Sequence, residues 1–257
     1  MSRSAPGRRP ACPPPGSEFQ RLSSLSLVLP AHNESQNLRW LLPRLSEVLP
    51  RLAQRFDVIV VDDGSTDGTG AVARTLAAEL GMDLKIVRHE RKSGYGAAVG
   101  DGLRAADLEY AAFTDADGQL DPDDLRLLIP HLGEADLVAG WRTTREDPLM
   151  RSITSGVFNF LVRLAFQLDV KDVDCALKII RTATLRRFPI TSRSALINVE
   201  LYYRVRKLGG RFVQVPVPHY PRRLGRRSGG RLIPILRAIK ELLLLRWRLY
   251  REGPASS

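Results

Sequence analysis

The sequence predicts an α/β domain, a mostly parallel sheet with helices on both faces, followed by a C-terminal amphipathic helix. Two observations support this prediction. Short apolar runs alternate with stretches of helical periodicity through the first half of the chain, as in parallel sheets covered on both faces. Positive charge is concentrated near the C-terminus, where residues 204–257 contain 14 Arg and Lys but only two Glu. The rest of the chain is close to neutral, although the net charge is +11.

The first two strands and the helices after them are the clearest elements. The apolar run LSLVLP (25–30) predicts a strand, and the next helix is expected to begin with Asn33 or Ser35 as its N-cap. FDVIVVDD (56–63) predicts a buried strand that ends in aspartates, before a helix at 67–80. The same alternation predicts the remaining elements, namely a strand at 83–89, a helix at 94–106, a strand at 109–115, a helix near 123–132 and a strand at 135–141.

Length and composition set the domain limits. At 257 residues the chain can bury one core. Residues 1–24 are rich in Pro, Arg and Ser and are predicted to be a disordered extension without a signal peptide. We expect 25–228 to form the α/β domain and 229–257 a basic tail. Cys12 and Cys175 suggest no disulfide framework and fit a reducing compartment, and no segment reaches the roughly 20 apolar residues that span a bilayer.

Polar motifs follow three of the predicted strands directly: PAHNE (30–34), DDGSTDGT (62–69) and DADGQ (115–119). Carboxyl ends of parallel strands meet at one edge of a sheet, where ligands bind, so these motifs are expected to form one site. Two carboxylates just past a buried strand can hold a hard cation such as Mg²⁺ or Mn²⁺, which keeps positions open for a diphosphate. The predicted metal ligands are Asp115, Asp117 and the amide oxygen of Gln119.

Other patterns near these motifs are interpreted structurally. DPDDL (121–125) is typical of a turn that starts a helix, with Pro122 at the first helical position. GYGAAVG (94–100) lacks the third glycine of a dinucleotide fingerprint and predicts a helix N-terminus able to face a phosphate. QNLRW (36–40) is interpreted as amphipathic helix surface, and the four scattered histidines suggest no zinc centre.

The motifs PAHNE, VVDDGSTDGT, SGYGAAVGDGL and FTDADGQLDPDDL, in this order, resemble those of the family-2 glycosyltransferases, which have the GT-A fold. Among these enzymes, the chain is most similar to the polyprenol-phosphate sugar synthases of the dolichol-phosphate mannose synthase type, over roughly residues 25–228. The resemblance implies inverting transfer of a hexose, in the first place mannose, from GDP-mannose or a UDP-hexose to a polyprenyl phosphate. A UDP-glucose donor or a hydroxyl acceptor remains an alternative.

The resemblance also implies residue roles. The metal triad would be Asp115, Asp117 and Gln119, with Asp115 also on the nucleotide sugar and Asp117 catalytic. Asp63 either makes the turn into the next helix or caps it, and Asp172 or Asp174 would position the sugar or an arginine. The remaining implied contacts are base and ribose at Pro30, Ala31, His32, Glu34 and Asp62, acceptor phosphate at Arg142, Arg151 and Ser155, and donor phosphates at Arg223 and Ser228.

The acceptor determines the expected mechanism. A phosphate monoester is an oxyanion at neutral pH, so it can displace the nucleoside diphosphate in a single inverting step without a general base. A hydroxyl acceptor would need such a base, and three carboxylates could serve, namely Asp172, Asp174 and Glu200.

The tail RLIPILRAIKELLLLRWRLYRE (231–252) predicts an amphipathic cationic helix. Such a helix lies in the headgroup region of anionic lipid, or packs its apolar side on the domain. We therefore expect a cytoplasmic protein held peripherally on the inner face of the membrane. A nucleic-acid-binding module is the other class that a basic tail suggests, but no aromatic platform accompanies the charge, so no nucleic-acid partner is expected. The wheel places the apolar side at Leu232, Leu236, Ile239, Leu242, Leu243, Trp247 and Tyr250, and the basic side at Arg237, Lys240, Arg248 and Arg251.

Overall fold

The computed structural model describes residues 20–143, 149–220 and 235–251. The strands are β1 Leu22–Ala31, β2 Ala53–Asp63, β3 Leu84–His89, β4 Tyr110–Phe113, β5 Leu137–Arg142, β6 Lys178–Arg181 and β7 Phe212–Val217. The helices are α1 Ser35–Leu52, α2 Thr69–Leu80, α3 Tyr95–Ala105, α4 Leu125–Leu128, α5 Leu149–Phe166, α6 Thr182–Leu185, α7 Ile197–Lys207 and α8 Ile235–Arg251. Two 3₁₀ helices, Pro122–Asp124 and Ile129–Gly133, flank α4.

The seven strands form one sheet in the order β3-β2-β1-β4-β6-β5-β7. Neighbouring strands are parallel except at β6, which runs antiparallel to both β4 and β5. The predicted α/β class with a mostly parallel sheet is therefore confirmed. The sequence analysis did not predict β6 or β7, and β6 separates two strands, β4 and β5, that follow each other in the chain.

The connections between parallel strands place the helices on both faces of the sheet. Helices α1 and α2 contact each other on one face, and α3 lies on the other face, against β1 and β2. Gly102 in α3 allows this close approach, because a β-carbon there would overlap the Val28 side chain of β1. The core is continuous between the layers, with Leu27, Leu29 and Val60 wholly buried.

Several predicted boundaries are wrong. β1 begins at Leu22, inside the expected extension, because it pairs with Ala53 from the first residue of β2. β4 ends at Phe113, not at residue 115, so the acidic motif lies in a loop. The helix expected near 123–132 is α4 with a 3₁₀ turn on each side, although Pro122 does occupy the predicted start. Helix α1 has Glu34 as its N-cap, without a side-chain hydrogen bond.

Helix α8 covers part of the domain, as one of the two alternatives for the tail expected. Its Leu242, Leu245 and Leu249 are buried, and the helix contacts α5. The predicted apolar side is thus divided, since Leu242 is buried whereas Trp247 is exposed. Within the described part of the chain, no helix combines the length and the apolar character needed to cross a membrane.

Candidate active site

Three loops meet at the carboxyl edge of the sheet. The β1–α1 loop (32–34), the β2–α2 loop (64–68) and the acidic loop (115–119) follow β1, β2 and β4, which are adjacent strands. The register pairs Ala31 with Asp62 and Val28 with Phe113, so β1 and β2 end level with each other and β4 ends close by. The predicted convergence of the three motifs on one rim is confirmed.

Hydrogen bonds join the first two loops to each other. The Asn33 amide donates to Oγ of Ser65 at 3.0 Å, and the Thr66 amide donates to Oδ1 of Asn33 at 2.9 Å. The Glu34 amide donates to Oγ1 of Thr69 at 3.0 Å. Asn33 has φ +57°, a conformation that Asn adopts more readily than most residues. Its side chain is therefore committed to the neighbouring loop, which explains why it does not cap α1.

The predicted nucleotide residues lie along this joined pair of loops. Pro30 and Ala31 end β1, and the half-buried His32 follows them. Nδ1 of His32 lies 2.8 Å from the carbonyl oxygen of Asp63, and since a carbonyl only accepts, this nitrogen carries the hydrogen. In the neutral ring, Nε2 is then the nitrogen that can accept a hydrogen bond. Asp62 is 3% exposed and accepts from the Ser65 amide at 2.9 Å, so one of its oxygens shapes the turn.

Asp63 does not cap α2, and that prediction is wrong. Its carboxylate instead accepts from the amides of Ser93 at 2.6 Å and Gly94 at 3.0 Å, and lies 2.7 Å from Nδ1 of His89. Burial raises the pKa of Asp63, but these hydrogen bonds outweigh it, so that its pKa is lower than usual. Asp63 therefore ties the end of β2 to the start of α3.

At the N-terminus of α3, two backbone amides are occupied by a neighbouring segment and do not face a phosphate. The amides of Gly96 and Ala97 donate to the carbonyl oxygen of Arg193, at 3.1 and 3.4 Å. A β-carbon on Gly96 would overlap this segment, which shows how closely residues 192–194 cover the helix end. The predicted phosphate-facing role is therefore wrong for Gly96 and Ala97, because the Arg193 carbonyl accepts from both amides. What α3 contributes to the rim is the side chain of Tyr95, whose hydroxyl lies next to the Asp115 carboxylate.

Asp115 and Asp117 lie close together in the acidic loop, and both are half-buried. Burial and the charge of Asp117 raise the pKa of Asp115 to about 6. The backbone amide of Gln119 donates to Oδ1 of Asp117 at 3.0 Å, and this bond closes the turn between the two residues. Two neighbouring carboxylates of like charge fit a divalent cation, because a cation would relieve the repulsion between them. Among the described residues, no group of three or more His, Cys, Asp or Glu side chains could hold a metal.

Across the rim, Arg142 at the end of β5 is paired with Asp172. Its Nε and Nη2 donate to the two carboxylate oxygens at 2.7 and 2.9 Å, and the backbone amide of Arg142 adds a third bond at 3.2 Å. The Asp172 side chain is 3% exposed, and burial lowers the pKa of Arg142 less than this pair raises it. The expectation that Asp172 or Asp174 could position an arginine is confirmed for Asp172.

Glu200 has a structural role. It is wholly buried, accepts from the amides of Thr191 and Ser192, and pairs with Arg204 at 2.8 Å. Burial raises the pKa of Glu200, but these hydrogen-bond donors lower it by more, so that its pKa is below the usual value. The suggestion that Glu200 could act as a base is therefore wrong, since its oxygens are occupied by the segment that covers α3.

Sequence reasoning missed Lys178. Its ammonium group is wholly buried and donates to the carbonyl oxygens of Val173 at 3.2 Å and Cys175, and to Oδ1 of Asn198 at 2.8 Å. Burial lowers its pKa to about 8. The lysine thus fixes the turn between Asp172 and β6. A basic residue inside the apolar sequence CALKII was the only available signal.

Trp40, which the sequence analysis assigned to helix surface, is half-buried and packs on Gly118 of the acidic loop. Asn37, in the same motif, is 2% exposed. The surface interpretation of QNLRW is therefore wrong for both residues. The side chains of Arg151 and Ser155, at the start of α5, lie outside the described set, as do Arg223 and Ser228, which belong to the segment 221–234.

Residues 26–189 match the family described as Glycosyl transferase family 2. A dodecaprenyl-phosphate galacturonate synthase of Rhizobium johnstonii is 36% identical over 166 residues, covering 63% of this chain and 49% of that protein. An undecaprenyl-phosphate mannosyltransferase of Micrococcus luteus is 32% identical over 216 residues, covering 79% and 87%. An undecaprenyl-phosphate 4-deoxy-4-formamido-L-arabinose transferase of Aeromonas hydrophila is 34% identical over 162 residues, covering 61% and 48%.

The chain therefore spans about half the length of the Rhizobium and Aeromonas relatives and most of the Micrococcus relative. A solved structure with the same fold is glucosyl-3-phosphoglycerate synthase from Mycobacterium tuberculosis, in complex with Mn²⁺, UDP and phosphoglyceric acid. It has a TM-score of 0.66 and 21% identity, covering 87% of this chain and 78% of that one. The predicted GT-A fold is confirmed by this likeness.

Proposed function

The chain belongs to glycosyl transferase family 2, and we propose that it transfers a hexose, mannose in the first place, from a nucleotide sugar to a polyprenyl phosphate with inversion. The observation that carries this proposal is the pair Asp115 and Asp117, set on the rim beside the joined loops that hold the nucleotide candidates. The names of the three relatives, all polyprenyl-phosphate sugar transferases, support the acceptor class. The Micrococcus relative, a mannosyltransferase, supports mannose and hence GDP-mannose as donor.

The donor side would use a divalent cation, Mg²⁺ or Mn²⁺, held by Asp115, Asp117 and the side chain of Gln119. Such an ion supplies Lewis-acid stabilisation of the leaving nucleoside diphosphate. Pro30, Ala31, His32, Glu34 and Asp62 would then hold the base and ribose.

Arg223 and Ser228 would contact the donor phosphates. This assignment is supported by the position of Tyr220, the last described residue before Arg223. The Tyr220 amide donates to the carbonyl oxygen of Gln119 at 2.9 Å, so the chain that leads to Arg223 departs from the acidic loop itself.

The acceptor side would bind the phosphate through Arg142, with Arg151 and Ser155 on α5. Asp172 holds two nitrogens of the Arg142 guanidinium in a fixed fork, so the guanidinium is oriented before any ligand arrives. A phosphate dianion needs no general base. The structure agrees with a mechanism that needs no base, because the Asp172 carboxylate is paired with Arg142 and the Glu200 carboxylate is enclosed by its hydrogen-bond donors. Catalysis would then come from alignment of the oxyanion with the anomeric carbon and from charge neutralisation.

The exposed apolar side chains support attachment to a membrane surface. Among the described residues, every large hydrophobic side chain that is exposed lies on α5 or α8. Exposed basic residues accompany them on α8, which suits anionic lipid. We infer that the protein lies peripherally on the cytoplasmic face, where a polyprenyl phosphate would present its headgroup. The apolar residues are Val157, Phe160, Leu164, Leu243, Leu244, Trp247 and Tyr250, and the basic ones are Lys240, Arg246, Arg248 and Arg251.

Transfer of radiolabel from a panel of sugar nucleotides to polyprenyl phosphate tests the proposal. We expect label to enter the organic phase only when polyprenyl phosphate and Mg²⁺ or Mn²⁺ are both present. Equal transfer in a chelator, or label passing to a hydroxyl acceptor instead of the lipid, would refute it.

Flotation with anionic and neutral vesicles tests the attachment. The double variant Phe160→Ser/Trp247→Ser should lose binding to anionic vesicles, whereas Arg187→Ser, an exposed change in the segment after α6, should bind like the parent protein. Unchanged flotation of the double variant would exclude the α5–α8 surface.

A further inference from the structure

The acidic loop needs support that its own sequence does not provide. It has no regular secondary structure between Phe113 and Pro122, and it holds two carboxylates close enough to repel each other. Within the loop, the backbone amide of Gln119 donates a hydrogen bond to Oδ1 of Asp117. Two aromatic side chains, one from α3 and one from α1, contact the loop at its two ends.

Tyr95 contacts the first carboxylate. Its hydroxyl lies next to the Asp115 carboxylate, and since an ionised carboxylate only accepts, the phenol is the donor between them. Tyr95 is the first residue of α3 and lies between two anchored neighbours. The Gly94 amide is bound to Asp63 at 3.0 Å and the Gly96 amide to the carbonyl of Arg193 at 3.1 Å. The hydroxyl is therefore presented from a fixed backbone, and it occupies only part of the acceptor capacity of a carboxylate.

Trp40 contacts the other end of the loop. A β-carbon on Gly118 would lie 2.8 Å from Cη2 of Trp40 and closer still to Cζ2, so the indole packs directly on the Gly118 backbone. Gly118 has φ +76°, which independently favours glycine. Nε1 of Trp40 lies 3.4 Å from Oδ1 of Asn37, and the Asn37 amide group donates to Glu34. The indole is thus oriented from the loop that carries the nucleotide candidates.

We propose that Tyr95 and Trp40 are positioning residues that hold the acidic loop in the shape that receives the divalent cation. Tyr95 directs one oxygen of Asp115 away from the ligand and leaves the other for it, and Trp40 fixes the turn at Gly118 between Asp117 and Gln119. Through Asn37 and Glu34, Trp40 also links the cation position to the nucleotide loop. This inference rests on the proposed function, because it assumes that the loop binds a cation.

The test measures Mn²⁺ binding by electron paramagnetic resonance at pH 8, with GDP or UDP present and free nucleotide subtracted. Tyr95→Phe, which removes only the hydroxyl, should weaken Mn²⁺ binding roughly tenfold, as is usual for partners of metal ligands. Trp40→Phe should weaken it by a few-fold, and both variants should keep the parent's thermal unfolding midpoint within about 5 °C. Tyr203→Phe and Trp247→Phe, whose rings lie against Phe166 and Arg251, are the matched controls and should bind like the parent.

A second readout uses the three tryptophans of the chain. In a Trp141→Phe/Trp247→Phe background Trp40 is the remaining one, and paramagnetic Mn²⁺ in the adjacent loop should quench its emission. Quenching that occurs at higher Mn²⁺ concentration after Tyr95→Phe would support the inference.

The outcomes separate this inference from the proposed function. If the parent binds Mn²⁺, Asp117→Ala does not, and both aromatic variants bind as tightly as the parent, the positioning roles are wrong and the metal site stands. If the parent itself binds no Mn²⁺ with either nucleotide, the cation-dependent function fails, and the inference fails with it.

Discussion

The two sides of the rim are held together by different forces. On the donor side, neutral hydrogen bonds join one loop to the next, as between Asn33 and Thr66. On the acceptor side, buried charges hold the structure, namely the Arg142–Asp172 pair and the ammonium of Lys178. A lost neutral hydrogen bond costs about 1 kcal/mol, whereas an unpaired buried charge costs about 3–5 kcal/mol. The donor side should therefore tolerate substitution better, except at the buried Asp63 and at the acidic loop.

Substitution in the acidic loop gives the largest expected effect. Asp117→Asn removes a charge proposed to bind the cation, so activity should fall at least about 100-fold, the upper range for loss of a mere supporting partner. Steady-state label transfer with saturating Mn²⁺ measures the effect. Asp123→Asn lies in the same acidic stretch but pairs with Arg126, and should keep activity near that of the parent. Equal activity of the two variants would show that the cation is not held by Asp117.

The acceptor side should respond to Asp172→Asn in both stability and acceptor use. The guanidinium of Arg142 would remain buried without its charge partner, so the free energy of unfolding should fall by about 3 kcal/mol. The KM for polyprenyl phosphate should rise, whereas donor affinity should not change. Urea unfolding and initial rates measure these quantities, with the exposed Asp169→Asn as control. Weaker binding of the sugar nucleotide together with an unchanged KM for polyprenyl phosphate would contradict the assignment of Asp172 to the acceptor side.

Asp124 allows the effect of a buried charge to be measured away from the site. It is 4% exposed, and burial and the charge of Asp121 raise its pKa to about 7. The folded state then binds the proton more tightly than the unfolded chain, so the carboxylate destabilises the fold at high pH and the penalty disappears as pH falls through 7 toward 4. Asp124→Asn should stabilise the protein by about 2 kcal/mol at pH 8. An equal gain at pH 4 would show that the charge is not the cause.

The smallest effect is expected from the loops of the donor side. Asn33→Ala removes the bond to the Thr66 amide and leaves a residue at φ +57° that alanine adopts poorly, so stability should fall by about 1 kcal/mol. Urea unfolding of Asn33→Ala beside Asn33→Gly separates the two causes, because glycine loses the bond but relieves the backbone. If Asn33→Ala lowered the free energy of unfolding as much as Asp172→Asn does, the donor and acceptor sides would not differ in their tolerance to substitution.

The same contrast explains what the sequence could predict. β1 and β2 with their terminal motifs follow from local patterns, since uninterrupted apolar runs end in turn residues and parallel strands end on one edge. β6 could not be predicted in this way, because it is four residues long and its place between β4 and β5 is fixed only by tertiary pairing. The Asp172–Arg142 pair was foreseen as one of several options, but its geometry depends on that pairing.

The motifs GYGAAVG and QNLRW show a further limit of prediction from sequence. GYG and QNLRW were judged by resemblance to known binding patterns and by helix periodicity. Neither criterion contains the approach of Tyr95 to Asp115 or of Trp40 to Gly118, because these contacts form between elements that are far apart in the sequence. Residues that support a site through such contacts have no spacing rule of their own, unlike the ligands they hold.

The late position of β6 in the chain affects how the protein is made. While the polypeptide leaves the ribosome, β4 has β1 on one side, and its other edge stays open until Lys178–Arg181 have been synthesised. An open strand edge can pair with another nascent chain. The shortness of β4, Tyr110–Phe113, limits that hazard, because few backbone groups are offered before the native partner arrives.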